Sequence, residues 1–220
     1  MRSDVLMLIA AAAFLPIVYL GVLYYYRECF TQECNKKRRF LRSMPEIIVL
    51  VVSEAAVLRI WYSYTSGKLS GLMLLMLIIM LYGMTILCMT DYWEKVVPNG
   101  ILLLWMMIWI LVMGSYGVRD LNAMMRHMFG VILGLVFCML SFGFCYLISK
   151  GNMGAGDVKL AVIMGMYLTG DYVVGAVFYG CILSAVFSIL MLARGKMTRK
   201  DSIPFVPFLY VGVVIRYFIG

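Results

Sequence analysis

Residues 69–91 read LSGLMLLMLIIMLYGMTILCMTD. From Leu69 to Thr90 there is no charge, and about 20 apolar residues in an α-helix rise roughly 30 Å, the thickness of a bilayer's hydrocarbon core. The stretch therefore reads as a membrane-crossing helix, and it ends on a carboxylate, Asp91. The same pattern recurs on both sides of it. Apolar runs separated by polar breaks fall at about 5–26, 45–64, 69–90, 100–117, 128–149, 158–170, 172–192 and 204–219. Of the 220 residues 64% are hydrophobic and 14% are charged, against roughly 25% charged in soluble domains, and this excludes an ordinary soluble fold. The expectation is all-α: a polytopic membrane bundle of about eight helices, with a sixth run that is short for a full crossing. No internal repeat or linker divides it, so residues 1–220 read as one integral-membrane domain.

The formal net charge of +8 comes from 19 Lys and Arg against 11 Asp and Glu. In a soluble chain it would suggest nucleic acid; between membrane helices it reports orientation, because basic loops stay cytoplasmic. If the first run is retained as a span, thirteen of the 19 basic residues fall on one side, among them Lys36, Lys37, Arg38, Arg39, Lys95, Lys159 and Arg194. That side is expected to be cytoplasmic, with both termini opposite and no nucleic-acid partner. A multi-pass protein of the inner or plasma membrane follows.

Cys88, Cys138, Cys145 and Cys181 lie in apolar runs and read as small packing residues. Cys29 and Cys34 share a polar loop, but no second pair completes a four-coordinate zinc site, so neither metal nor cofactor is expected. His127 is the only histidine; beside Arg126 it reads as a solvated loop residue. Glu54 and Arg59 fall within the second run. They read either as a functional intramembrane pair or as charges that snorkel or pair within the bundle.

The aspartates are more informative. Asp91 ends the third run and Asp157 enters the sixth, so this topology places both on the cytoplasmic face although 66 positions separate them. Asp157 follows Gly154-Ala155-Gly156 and precedes Val158-Lys159. Glycines there leave room for positive φ or for an extended chain lying against the backbone, while Asp after Gly reads equally as a helix N-cap. Asp91 stands at a helix C-terminus, where the dipole disfavours a carboxylate, so some other contact must hold it. Val97-Pro98-Asn99-Gly100 then supplies a turn with an expected N-cap at Asn99. Two carboxylates sharing a partly dehydrated site do not both ionise readily. One can accept a proton from water while the other donates to the carbonyl under attack, and neither a metal nor a covalent intermediate is required.

Three segments resemble the type IV prepilin peptidases, a family of intramembrane aspartic endopeptidases. Gly154-Ala155-Gly156-Asp157-Val158-Lys159-Leu160 is similar to the family's G-x-G-D-x-K-L signature. Thr90-Asp91 through Val97-Pro98-Asn99 is similar to the region of the partner aspartate, and Ile203-Pro204-Phe205-Val206-Pro207-Phe208-Leu209 to the opening of the last helix. Together they span about residues 70–215. The resemblance implies Asp91 and Asp157 as the catalytic pair, with Gly154, Gly156 and Lys159 in the active-site loop. It also implies cleavage of a short basic leader from prepilins and pseudopilins at the cytoplasmic face, with the substrate's apolar helix remaining in lipid. Many bacterial members also methylate the new amino terminus and carry two C-x-x-C pairs after the first span. Here the loop Arg27 to Arg42 has only Cys29 and Cys34, so a peptidase without methyltransferase activity is expected. Two rivals remain: an ion-coupled transporter, which would set ionisable groups at mid-membrane, and a non-catalytic assembly platform for a pilus or secretion machine, in which the aspartates would be dispensable.

Overall fold

A computed structural model describes residues 44–149, 153–196 and 203–219. Six helices follow one another: α1 Met44–Thr65, α2 Gly71–Glu94, α3 Asn99–Arg119, α4 Leu121–Ser149, α5 Ala155–Ala193 and α6 Val206–Ile219. No strand occurs among the described residues. Five helices are long and apolar enough to cross a membrane, and α6 is a shorter apolar helix. The expected run at 5–26, the Cys29 and Cys34 loop, Asp4 and Asp201 lie outside the described residues.

α2 is the centre of the bundle. Buried residues make up 61% of its spanning window, against 22% in each of the other four, so α2 meets protein on most sides while the others keep an outward face. Those faces are strongly apolar: Leu103, Leu104, Met107 and Leu111 on α3 and Leu140, Phe144 and Leu147 on α4 are all exposed. In water such a surface would aggregate; against lipid tails it is at its energy minimum.

Lipid supplies no hydrophobic force between helices, so close approach depends on small residues. Gly134 of α4 and Gly165 of α5 lie backbone to backbone. A Cβ on Gly134 would stand 2.7 Å from the Gly165 carbonyl oxygen, and one on Gly165 would stand 2.6 Å from that of Gly134. Gly212 of α6 abuts Ala176 and Gly180 of α5 in the same way. Indole and phenol groups tie the remaining neighbours through backbone carbonyls: Trp105 Nε1 donates to Ile79 O (3.3 Å), Trp109 Nε1 to Met166 O (3.0 Å) and the Tyr167 hydroxyl to Trp105 O (2.8 Å).

Thr169 breaks α5 with φ 59° and ψ 173°. An unbroken helix of 39 residues would extend about 58 Å, nearly twice the hydrocarbon core. Instead the chain doubles back. Gly134 faces Gly165 and Val173 at once, and Asp157 lines the same cavity as Val177, although 20 residues of straight helix would set those two about 30 Å apart. The expected boundary between runs 158–170 and 172–192 coincides with this break.

Three expectations need correction. His127 lies inside α4, half-buried, with Nε2 buried and without a hydrogen-bond partner. The helix starts at Leu121 rather than near 128 because Asp120 Oδ1 accepts the Ala123 N–H (2.9 Å), an N-cap ahead of the apolar run. The cap of α3 is Pro98 and not Asn99, whose side chain is engaged elsewhere. Arg59 does not need an acidic partner to remain in α1: its guanidinium donates to the Ser63 hydroxyl (2.6 Å) and faces the Tyr62 ring.

Candidate active site

At one end of the bundle the C-termini of α2 and α4 meet the N-termini of α3, α5 and α6 around a cavity of about 820 Å³. Asp91 and Asp157 both line it, together with Lys95, Asn99 and Lys159. The structure thus brings together the two aspartates that the sequence singled out.

Asp91 is 5% exposed, and its position at a helix C-terminus has a local explanation. Its Oδ2 accepts the Val206 backbone N–H at 2.9 Å, so the carboxylate that ends α2 also stands at the positive end of α6. The sequence of α6 leaves this donor available. Pro207 has no N–H, and the N–H groups of Phe208 and Leu209 both turn to Phe205 O. Val206 is therefore the donor of that turn with no partner inside the helix. The backbone of Phe205 and the ammonium of Lys95 also act on Asp91.

Asp157 sits in the first turn of α5, three residues after the N-cap Gly154, and its N–H bonds Gly154 O at 3.1 Å. It is not the N-cap, although the helix dipole still favours its charge there. The two glycines serve different purposes, and neither adopts positive φ. Gly156 is a steric requirement, since a Cβ would come within 2.9 Å of Val97 Cβ in the α2–α3 link. Gly154 is exposed, with φ −66°, and a Cβ there would make only ordinary contact with Asp157 Oδ2 at 3.5 Å. It keeps the backbone before Asp157 open from the cavity side. Lys159 donates through Nζ to Asn99 Oδ1 at 2.9 Å, tying the start of α5 to the start of α3. Asn99, read from sequence as a cap, is thus part of the site's frame.

Sequence reading missed the cavity's other wall. Ser141, Phe142 and Cys145 of α4 and Val177 and Cys181 of the returning half of α5 line it. Cys88 and Cys138 are buried as expected, but Cys145 and Cys181 are exposed cavity residues rather than packing ones. Helical periodicity could have placed Ser141 and Cys145 on one face, one turn apart. No group of three or more metal-ligating side chains occurs among the described residues.

These features define a class: a helical membrane protein with two carboxylates at helix ends lining one cavity. Comparison with known proteins gives the family. The type IV leader peptidase family matches residues 78–189, half of the chain, and the chain belongs to that family. Among relatives, it is 22% identical over 209 residues to the prepilin leader peptidase/N-methyltransferase of Bacillus subtilis (strain 168), covering 95% of this chain and 77% of that protein. It is 31% identical over 84 residues to the leader peptidase HopD of Escherichia coli, covering 37% of this chain and 54% of that protein. No solved structure matches. The matched family segment contains both Asp91 and Asp157, and the protein is a membrane peptidase by family.

Proposed function

We propose that this peptidase removes the leader from prepilins or pseudopilins by aspartic catalysis, with Asp91 and Asp157 as the catalytic pair. The observation that carries the reading is their convergence, from helices 66 positions apart, on one 820 Å³ cavity at the bundle's end. Catalysis starts with one carboxylate charged and one protonated. The charged member takes a proton from water as the water oxygen bonds to the scissile carbonyl carbon, and the protonated member gives its proton to the carbonyl oxygen. As the tetrahedral gem-diol collapses, one of its hydroxyls returns a proton to the charged carboxylate while the C–N bond breaks and the amine leaves with the proton of the other carboxyl. The pair ends with one proton, as it began. Because the two groups share that proton, they titrate as a unit.

The cavity end carries Lys95, Lys159, Arg194 and Lys196, and the positive-inside rule makes it the cytoplasmic end. A leader emerging from the membrane into the cytoplasm would reach the cavity there. With the run at 5–26 as a further span and α5 counted as two, the topology has eight crossings and both termini outside. The loop from Arg27 to Arg42 has no second cysteine pair, which supports a peptidase without methyl transfer. The edge position of the aspartates disfavours the transporter reading, and family membership disfavours the platform reading.

The direct test is purified protein in proteoliposomes with a full-length prepilin, read by intact mass of the pilin. A single cut that frees the leader and leaves an unmethylated amino terminus is expected. An intact pilin under conditions where a known leader peptidase cuts it would overturn the assignment.

A further inference from the structure

Asp91 depends on a backbone donor that belongs to a different helix, so the height of α6 along α2 decides whether that donor is in reach. α6 has 14 residues, and against α5 it sets Gly212 on Ala176 and Gly180, the Phe208 ring on Phe187 and Arg216 over the Tyr172 ring, contacts without a hydrogen bond between fixed polar atoms. Directional hydrogen bonds hold α6 on the opposite face, from Tyr217 to Leu77 O near its end and from Tyr210 near the turn that meets Asp91. One turn after Val206, the Tyr210 hydroxyl lies 2.7 Å from Ser53 Oγ of α1 and donates to Val49 O at 3.0 Å. Ser53 Oγ is in turn 2.8 Å from Thr85 Oγ1 of α2, and Thr85 bonds Leu81 O at 2.8 Å. Ser53, Thr85 and Tyr210 are all buried in an otherwise apolar core. Their three hydroxyls carry three hydrogens, and one assignment uses each once: Tyr210 to Val49 O, Ser53 to the Tyr210 oxygen, and Thr85 to Ser53, with Leu81 O also in reach of Thr85.

We infer that Tyr210 is a positioning residue for Asp91: its clasp on Ser53 and Thr85 sets α6 so that the Val206 N–H meets Asp91 Oδ2. The inference rests on the proposed role of Asp91. Hydrogen bonds among buried hydroxyls are directional, whereas the apolar contacts around them permit sliding, so the clasp contributes register more than cohesion. A slip of about 1 Å would break a 2.9 Å bond, and misplacements of that size lower catalysis by up to about 10²-fold.

The test is steady-state kinetics of leader cleavage by the full-length protein in proteoliposomes. Tyr210→Phe keeps the ring and removes the hydroxyl. It is expected to lower kcat roughly 10-fold with KM changed less than about twofold. Tyr217→Phe is the matched control. It removes the hydroxyl that donates to Leu77 O (3.1 Å), further along α6 from Asp91, and is expected to keep kcat within about twofold. Thr85→Ser, which preserves the clasp, should retain activity that Thr85→Val loses. Unchanged kcat in Tyr210→Phe, or an equal loss in Tyr217→Phe, overturns the inference. If Tyr210→Phe does not fold, the Thr85 pair decides, and equal activity of its two members is a refutation. Asp91→Asn in the same assay separates the two claims: its normal activity would remove the dyad itself, whereas its inactivity beside a fully active Tyr210→Phe would remove only the positioning role.

Discussion

The burial of Asp91 shows how far a single residue can be read. Sequence alone raises the problem of a carboxylate at the unfavourable end of α2, but its solution lies 115 positions away in the Val206 N–H, and no local pattern reveals it. Gly156 was legible as part of a glycine-rich approach, yet its reason is the Val97 side chain and not positive φ. Gly156→Ala is therefore expected to destabilise the protein by about 1–3 kcal/mol, read by thermal unfolding in detergent, because Val97 must shift for the methyl. Gly154→Ala, whose methyl would make only ordinary contact with Asp157 Oδ2 at 3.5 Å, should change stability by less than about 0.5 kcal/mol while slowing cleavage of the leader. Equal stability of the two variants would contradict the steric account. The Lys159–Asn99 bond is exposed, so Lys159→Met should lower stability by no more than about 1 kcal/mol, and its effect should appear in activity through the placement of Asp157.

At the scale of elements, hydrophobic runs located α1 to α6 to within a few residues at most ends, because a bilayer's thickness imposes helix length directly. The start of α4 was misplaced by seven residues because its cap, Asp120, stands ahead of a first stretch that carries Asn122, Arg126 and His127 and so does not read as part of the apolar run. Which faces meet was not legible, since a helix that is apolar all round has no amphipathic stripe to orient it. Small residues settle that question in the folded protein. Gly165→Val should push α5 away from the Gly134 backbone and destabilise the bundle by about 3 kcal/mol. The break at Thr169 carries the opposite prediction. A non-glycine residue at φ 59° and ψ 173° is strained, so Thr169→Gly should raise the unfolding temperature, by about 1 kcal/mol of stability, with the α5 hairpin unchanged. A lower unfolding temperature would show that the Thr169 side chain against Gly130 contributes more than the strain it imposes.

Two sets of helices each present one aspartate, and the second half of α5 lies between them, with Val173 against Gly134 of α4 and Ala176 and Gly180 against Gly212 of α6. α1, α2 and α6 are clasped through Ser53, Thr85 and Tyr210 and carry Asp91; α3, α4 and the first half of α5 are joined by Trp109, Tyr167 and the Gly134–Gly165 contact and carry Asp157. Trp105 bridges them through Ile79 O, with its indole packed on Gly83. The orientation proposed from the charge distribution is testable apart from catalysis: reporter fusions after Gly195 should report the cytoplasm and fusions after Lys68 the opposite side. The proposed sharing of one proton by Asp91 and Asp157 predicts a bell-shaped dependence of kcat on pH, falling in acid when both carboxyls are protonated and in base when neither is. The most direct test of the central claim is the mass of a prepilin co-expressed with Asp91→Asn or Asp157→Asn. Both variants should insert and fold as the unaltered protein does and leave the leader attached, with cleavage reduced by at least about 10³-fold; loss of the leader at the normal rate in both would contradict the account.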